Sequence, residues 1–105
     1  MDEQFIRQRM TELRLKKGVS EYKMSTDMAK SKGYIQSISS GRSMPSISEF
    51  LYMCEYLGVT PGEFFDTEMS NPALIHEAAG IMKTMNDEDL KAVIALLSRF
   101  KSEHS

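Results

Sequence analysis

The sequence predicts an all-α protein, and two observations support that fold class. Apolar residues recur with the 3.6-residue period of an amphipathic helix along most of the 105-residue chain. Between these periodic stretches stand serine, threonine and asparagine residues that can cap a helix N-terminus, and glycine or proline residues that end one. Seven helices are predicted in this way, the last two as a C-terminal helical hairpin.

The first helix is predicted from about Gln4 to Lys17, with Gly18 as its C-terminal stop. Its apolar stripe consists of Ile6, Met10 and Leu13. The last turn is basic, and its cations, Arg14 among them, either complement the helix dipole or contact phosphate. The two roles are compatible.

Two short helices follow, and the rest of the chain is organised around them. Ser20 is the predicted N-cap of a helix from Glu21 to about Met28, and Ser31 that of a helix from Lys32 to about Ser39. Only residues 29 and 30 connect them. Helices this short are not stable alone, so they must pack on each other and on neighbouring elements.

The second helix of this pair has an unusual polar side. It offers small and hydrogen-bonding groups with one cation and no carboxylate, namely Lys32, Gly33, Tyr34, Gln36, Ser37, Ser39 and Ser40. A surface of this kind suits a close approach to phosphates and base edges.

A fourth helix is predicted from about Ile47 to Leu57, because Ser46 and Glu49 have the spacing of a capping box and Gly58 provides a stop. The residues expected on its buried face are Ile47, Phe50, Leu51, Cys54 and Leu57. A packing role for Cys54 is favoured over a nucleophilic one, since no histidine or other base is near it in sequence.

A second capping box, Thr60 with Glu63, predicts a short fifth helix that buries Phe64 and Phe65. The polar residues 66–70 lack apolar periodicity and are predicted to form a connector.

Two further helices follow the connector. One opens at Pro72, and the other is capped by Asn86 and has an acidic first turn. Their apolar stripes are Leu74, Ile75, Ala78, Ile81, Met82 and Met85, and Leu90, Val93, Ile94, Leu97 and Phe100. The predicted division is residues 1–66 and a hairpin of residues 67–105, which either packs on its own subunit or pairs with a second copy.

Charge is distributed unevenly along the chain. From Gln4 to Arg42 there are nine cations and three anions, whereas from Ser43 onward four cations face ten anions, although the net charge is only −2. The basic part coincides with the short helix pair. One face of the molecule is therefore expected to attract phosphate and another to be repelled by it.

Several classes of function find no support in the sequence. The single cysteine excludes an internal disulfide, and Cys54, His76 and His104 do not have the spacing of zinc ligands. No catalytic set, phosphate-binding loop or cofactor motif is present, so an enzyme is not expected. No apolar run approaches a membrane span and the N-terminus is acidic, so a cytoplasmic location is expected.

A family resemblance rests on the order and spacing of several residues between about Ile6 and Asp66. They are Ser25, Ile35, Ile38, the run Ser40-Gly41-Arg42, the pair Pro45-Ser46 and the run Leu57-Gly58-Val59. In this pattern the chain resembles the helix-turn-helix domain of the lambdoid phage repressors and Cro, the xenobiotic response element family. The resemblance implies five helices, with the one from about Lys32 lying in the DNA major groove.

Roles for single residues follow from that resemblance. It implies that Lys32, Gly33, Gln36 and Ser37 read bases, with Lys32 suited to guanine and Gln36 to adenine. It also implies phosphate contacts that set register without reading sequence, for Lys30, Tyr34, Arg42 and Arg14.

Three positions depart from the family pattern. Ala29 stands where glycine is common in the turn, so that turn is expected to be shaped differently, with Gly33 taking part. A start of the recognition helix later than Lys32 is the alternative left open. Glu21 stands where glutamine is frequent. Ser39 replaces a glutamate that pairs with an arginine of the first helix, which would free Arg14 to face DNA.

The function predicted is that of a sequence-specific transcriptional regulator, a repressor in preference to an activator, that binds double-stranded DNA as a homodimer. The hypothesis left open beside it is a helical adaptor that keeps the fold and binds protein through its acidic C-terminal half.

Overall fold

The computed structural model describes residues 2–104, and the side chains of residues 2–101. It contains seven α-helices: α1 Glu3–Lys17, α2 Glu21–Asp27, α3 Tyr34–Ser39, α4 Ile47–Leu57, α5 Pro61–Phe65, α6 Pro72–Met82 and α7 Asp87–His104. Within residues 2–104 there is no strand. The predicted all-α class is confirmed.

Most helix boundaries lie where the sequence signals place them. Gly18 and Gly58 end α1 and α4 in the left-handed conformation, with φ of 78° and 75°. Both predicted capping boxes form, so Ser46 and Thr60 accept from the backbone three residues on, and Glu49 and Glu63 accept in return. These reciprocal bonds satisfy backbone N–H groups that a helix start would otherwise leave unpaired.

The start of α3 differs from the prediction. The helix begins at Tyr34, two residues after Lys32, and Ser31 is not its N-cap. Instead, Ser31 and Tyr34 close a turn in which the N–H of Tyr34 donates to the carbonyl of Ser31 at 3.1 Å. Gly33 occupies the N-cap position and supplies no side-chain cap, so Lys32 and Gly33 belong to the turn.

Gly33 takes part in the turn between α2 and α3, as expected, but it does not take over the left-handed conformation. Ala29 adopts the left-handed conformation itself, with φ of 58°, whereas Gly33 has an ordinary φ of −99°. The turn therefore keeps a shape that favours glycine at residue 29, and the Cβ of Ala29 strains it.

The core of the first compact unit lies between α1, α2, α3, α4 and α5. Its buried apolar residues are Met10, Leu13, Met24, Met28, Ile35, Ile38, Met53, Cys54, Leu57, Val59 and Phe64. On α4, Met53 takes the buried place that the sequence analysis gave to Ile47 and Leu51, whose side chains are 81% and 51% exposed. The buried face of α4 is thus rotated towards Met53.

The division between the two compact units lies between Ile75 and His76, later than the boundary predicted after residue 66. The buried guanidinium of Arg9 explains part of the difference, because it donates to the carbonyls of Asp66 at 2.8 Å and Met69 at 3.1 Å. Pro72 is also buried. Residues of the predicted connector are therefore held by α1.

The second unit contains the end of α6 and all of α7. Asn86 caps α7 as predicted, its Oδ1 accepting from the N–H of Asp89 at 2.8 Å. Large apolar side chains remain exposed along both helices: Leu74, Ile75, Ile81, Ile94, Leu96, Leu97 and Phe100. None of the helices in the described part of the chain has both the length and the apolar character needed to cross a bilayer.

Candidate nucleic-acid interface

Three of the four residues predicted to read bases, Lys32, Gly33 and Gln36, are exposed. Together with the exposed Ser40 and Arg42 they form the surface here called the α3 face. Ser37, also predicted to read bases, is only half-exposed, and its Oγ lies 2.9 Å from the Oγ of Ser43. The stretch from Met28 to Ser48 contains no aspartate or glutamate. The α3 face therefore offers hydrogen-bond donors without a carboxylate of its own.

Ser25 joins α2 to α3. Its buried hydroxyl donates to the carbonyl of Glu21 at 2.8 Å and accepts from the N–H of Ile35 at 3.0 Å. That N–H lies in the first turn of α3, where no helical carbonyl is available to it. A small hydroxyl at this position thus satisfies the start of α3 and lets the two helices approach closely.

Arg7 secures the other end of α3. Its Nε donates to the carbonyl of Ile38 at 3.0 Å, and its Nη2 to that of Gly41 at 3.4 Å. These carbonyls lie at the C-terminus of the helix, where partners are lacking and a cation is favoured. Arg7 is therefore a structural anchor of the α3 face.

The turn before α3 is tied to α4 by Lys30 and Glu49, whose Nζ and Oε2 are 2.7 Å apart. The bond from Lys30, with that from the backbone N–H of Ser46, lowers the pKa of Glu49 from 4.5 to about 2. Lys30 also lies over the ring of Tyr34, with its Nζ 5.3 Å from the centroid. Lys30, which is predicted to contact phosphate, thus already has Glu49 and Tyr34 as partners within the protein.

Tyr34 does not fit its predicted contact with phosphate. Its hydroxyl oxygen is buried. Burial, followed by the negative charge of Glu49, raises its pKa to about 12. The side chain packs against the core beneath α3 and supports the turn from within.

Arg42 lies along α3 and is not directed away from it. Its Nη2 donates to Oε1 of Gln36, and its Nε donates to Oγ of Ser40 at 3.2 Å. All three side chains are exposed. The guanidinium and the Gln36 amide therefore form one polar group on the α3 face.

Glu21 and Ser39, two of the positions that depart from the family pattern, contact each other, and Arg14 has a partner elsewhere. Ser39 donates to a carboxylate oxygen of Glu21, so the carboxylate at the start of α2 has a hydrogen-bond partner within the protein. Arg14 is half-buried and donates from Nη1 to the carbonyl of Val19 at 2.8 Å. Arg14 therefore fixes the connection between α1 and α2 and is not freed by the serine at residue 39.

The basic segment displays less free charge than its composition suggests. Seven of its nine cations have partners within the protein: Arg7, Arg9, Arg14, Lys17, Lys23, Lys30 and Arg42. Lys16 and Lys32 have none among residues 2–101. Of these two, only Lys32 lies on the α3 face.

Among the residues that the structure describes, no three histidine, cysteine, aspartate or glutamate residues lie together as metal ligands would. Burial raises the pKa of the Cys54 thiol to about 11, so this thiol is not activated.

Comparison of the chain with protein-family models, with curated proteins and with solved structures finds no match.

Proposed function

We propose that this protein is a sequence-specific transcriptional regulator that binds double-stranded DNA through a helix-turn-helix formed by α2 and α3. The α3 face carries the proposal. It is an exposed surface with a free ammonium group at Lys32 and a guanidinium at Arg42, without a carboxylate in the surrounding stretch from Met28 to Ser48. A single helix of this kind fits the major groove of B-DNA.

The hydrogen bonds and the ion pair that hold α3 in place support the same function. Arg7 holds the end of α3, Ser25 holds its start, and the Lys30–Glu49 pair holds the preceding turn. Base reading requires side chains placed in fixed positions, because misplaced donors do not meet the base edges. The five helices α1 to α5 would then form a repressor-like domain.

Within this proposal, Lys32 and Gln36 read bases, and Gly33 lets the backbone come near the DNA. A Cβ added at Gly33 would have no neighbouring heavy atom within 4 Å, so the space beside this residue is open. Lys30, Tyr34 and Arg14 position the site from inside the protein. Repression is the simplest regulatory outcome, because occupancy of a promoter alone suffices for it.

A mobility-shift experiment tests the proposal. We expect duplexes selected from a random pool, or the promoter of the protein's own gene, to bind more tightly than random duplex at moderate salt. Affinity should fall steeply as salt rises, because phosphate contacts release counterions. Equal, weak binding of all duplexes would refute the proposal.

We propose further that the protein binds DNA as a symmetric homodimer, since one recognition helix reads too few base pairs to find a site in a genome. Two-fold symmetry would present two α3 helices to major grooves about 34 Å apart.

Two apolar surfaces could mediate dimerisation. One is the exposed stripe of α7, which includes Ile94 and Leu97, 60% and 51% exposed. The other surrounds Ile47, beside an apolar pocket of about 190 Å³ that Phe50 and Phe65 help to line.

Sedimentation of two full-length variants at micromolar concentration separates these surfaces. Ile94 and Leu97 changed together to glutamate should abolish the dimer if α7 forms the interface, whereas Ile47→Glu should abolish it if the pocket does. Both changes add charge at exposed positions, so neither should unfold the monomer. A wild-type chain that sediments as a monomer without DNA would refute a preformed dimer.

The exposed apolar side chains of α6 and α7 also favour a second candidate function, an adaptor that binds another protein. Salt dependence distinguishes the two, because an apolar protein interface responds little to salt and DNA binding responds strongly.

A further inference from the structure

We propose that Arg42 fixes the side-chain amide of Gln36 so that the α3 face presents donors, and that the DNA site consequently has guanine opposite Gln36. This inference rests on the proposed function and deepens it. It concerns which base is read, which is a separate matter from whether DNA is bound.

The orientation of the Gln36 amide follows from its partner. A guanidinium has only N–H donors, so the amide oxygen of Gln36 must be the atom that faces Arg42. The amide nitrogen, with its two hydrogens, is then the atom left available to a ligand. Arg42 is itself held by a second contact, from its Nε to Oγ of Ser40.

The neighbouring hydroxyl groups already have partners within the protein. The Oγ of Ser40 donates to the carbonyl of Ser37 at 3.2 Å and accepts from Arg42. The Oγ of Ser37 is engaged with that of Ser43. Lys32 adds an ammonium group that can only donate. The side-chain groups on the α3 face that have no partner among the described residues, the Lys32 ammonium and the Gln36 amide nitrogen, are therefore donors.

Guanine matches such a surface best in the major groove, since thymine offers only the single acceptor O4. Guanine presents two acceptors there, O6 and N7, whereas adenine presents N7 beside an amino group that needs an acceptor. One lone pair of the Gln36 oxygen is taken by the guanidinium of Arg42, which holds the oxygen towards Arg42 and not towards that amino group. The bidentate pairing of Gln36 with adenine, expected from the sequence, is thereby disfavoured in comparison with guanine.

The test starts from duplexes selected by the wild-type protein from a random pool. Gln36→Ala identifies the base pair that Gln36 reads, as the position where discrimination is lost. At that position we expect the wild type to prefer guanine over adenine by roughly tenfold. Replacing this guanine by 7-deazaguanine should weaken binding, because it removes the N7 acceptor.

Variants of Arg42 then isolate its positioning role. Arg42→Met frees the amide, so the preference for guanine should fall to near equality with adenine. Arg42→Lys retains a donor for the Gln36 oxygen and should restore the preference. Lys16→Ala removes the same charge from an exposed position on α1 and should leave base preference unchanged.

Two results would overturn the inference while leaving DNA binding intact. One is a wild-type preference for adenine at the base pair read by Gln36. The other is an Arg42→Met variant that weakens binding to every duplex equally, as loss of a simple phosphate contact would. A wild type that selects no sequence would refute the proposed function, and this inference with it.

Discussion

At the scale of single residues, the arginines of α1 illustrate how composition can mislead. Arg9 is 2% exposed and donates to the carbonyls of Glu63, Phe64, Asp66 and Met69. A buried guanidinium needs this many partners, because leaving its donors unmet would cost several kcal/mol. Arg9 therefore contributes to the fold and not to the positive charge exposed at the surface.

A sequence signal for this role exists. Ile6, Arg9, Met10 and Leu13 have the i, i+3, i+4, i+7 spacing of a single buried helix face. A charge count of the basic segment does not show this, because Arg9 is one of its nine cations although its side chain is buried. By contrast, no local pattern marks Arg7, whose partners Ile38 and Gly41 are more than thirty residues away.

The left-handed conformation of Ala29 gives a prediction at this scale. Ala29→Gly should stabilise the protein by about 0.5–1 kcal/mol, since relief of the strain exceeds the entropy that glycine loses on folding. Urea denaturation measures the change. Ala29 is exposed, so loss of its methyl group leaves no cavity.

Gly33→Ala is the matched control. Its φ of −99° suits any residue and the space beside it is open, so stability should stay the same or rise slightly. An Ala29→Gly variant less stable than the wild type would contradict the strain assigned to residue 29.

Glu49 gives a prediction on pH dependence. Its pKa in the folded state, about 2, lies below the ordinary 4.5, so its stabilising effect is fully present above pH 4.5 and is lost as the pH falls towards 2. Glu49→Gln keeps an oxygen that can accept from Ser46 but removes the charge paired with Lys30. Melting temperatures of this variant should therefore vary less than those of the wild type over that range.

Glu55→Gln provides the comparison, because Glu55 is an exposed carboxylate on the same helix. It should melt with the pH profile of the wild type. If Glu49→Gln also does so, the pair with Lys30 does not stabilise the turn before α3.

At the scale of elements, the sequence predicts helices best where a cap is local. Ser46 with Glu49 and Thr60 with Glu63 define α4 and α5, because both members of each pair lie within one turn. The start of α3 has no such pair. It depends on the hydroxyl of Ser25, ten residues away, which accepts from Ile35. Ser31 is a good N-cap by residue type, yet this tertiary bond and the turn before it place the helix start at Tyr34.

The sequence predicts which side of a helix is buried less well than it predicts where the helix begins and ends. On α4 the apolar residues cover more than one face, so periodicity alone does not tell whether Met53 or Leu51 is buried. Packing against α1 and α5 decides in favour of Met53, which is fully buried. The sequence assigns DNA contacts to Lys32, Gln36 and Arg42 one by one. The hydrogen bond between Gln36 and Arg42 cannot be predicted in this way, because it depends on side-chain geometry that the sequence does not contain.

At the scale of the whole molecule, charge is distributed unevenly along the chain, and α7 exposes several large apolar side chains. The nine cations from Gln4 to Arg42 contrast with the acidic remainder, and exposed apolar side chains such as Ile94 and Phe100 lie in α7. Each feature suits a different contact. Exposed cations of the basic segment suit a polyanion, and the exposed apolar side chains of α7 suit an apolar partner. A regulator that dimerises through one part and binds DNA through another would use both.

The affinity of Lys32→Ala for two duplexes, one selected by the wild type and one of the same composition in scrambled order, tests most directly whether the α3 face reads bases. We expect the variant to lose roughly 1–3 kcal/mol on the selected duplex and far less on the scrambled one at the same salt, because Lys32 is the free cation of that face. Lys16→Ala, the matched control on α1, should affect both duplexes alike. Equal losses on the two duplexes for Lys32→Ala would contradict base reading by the α3 face.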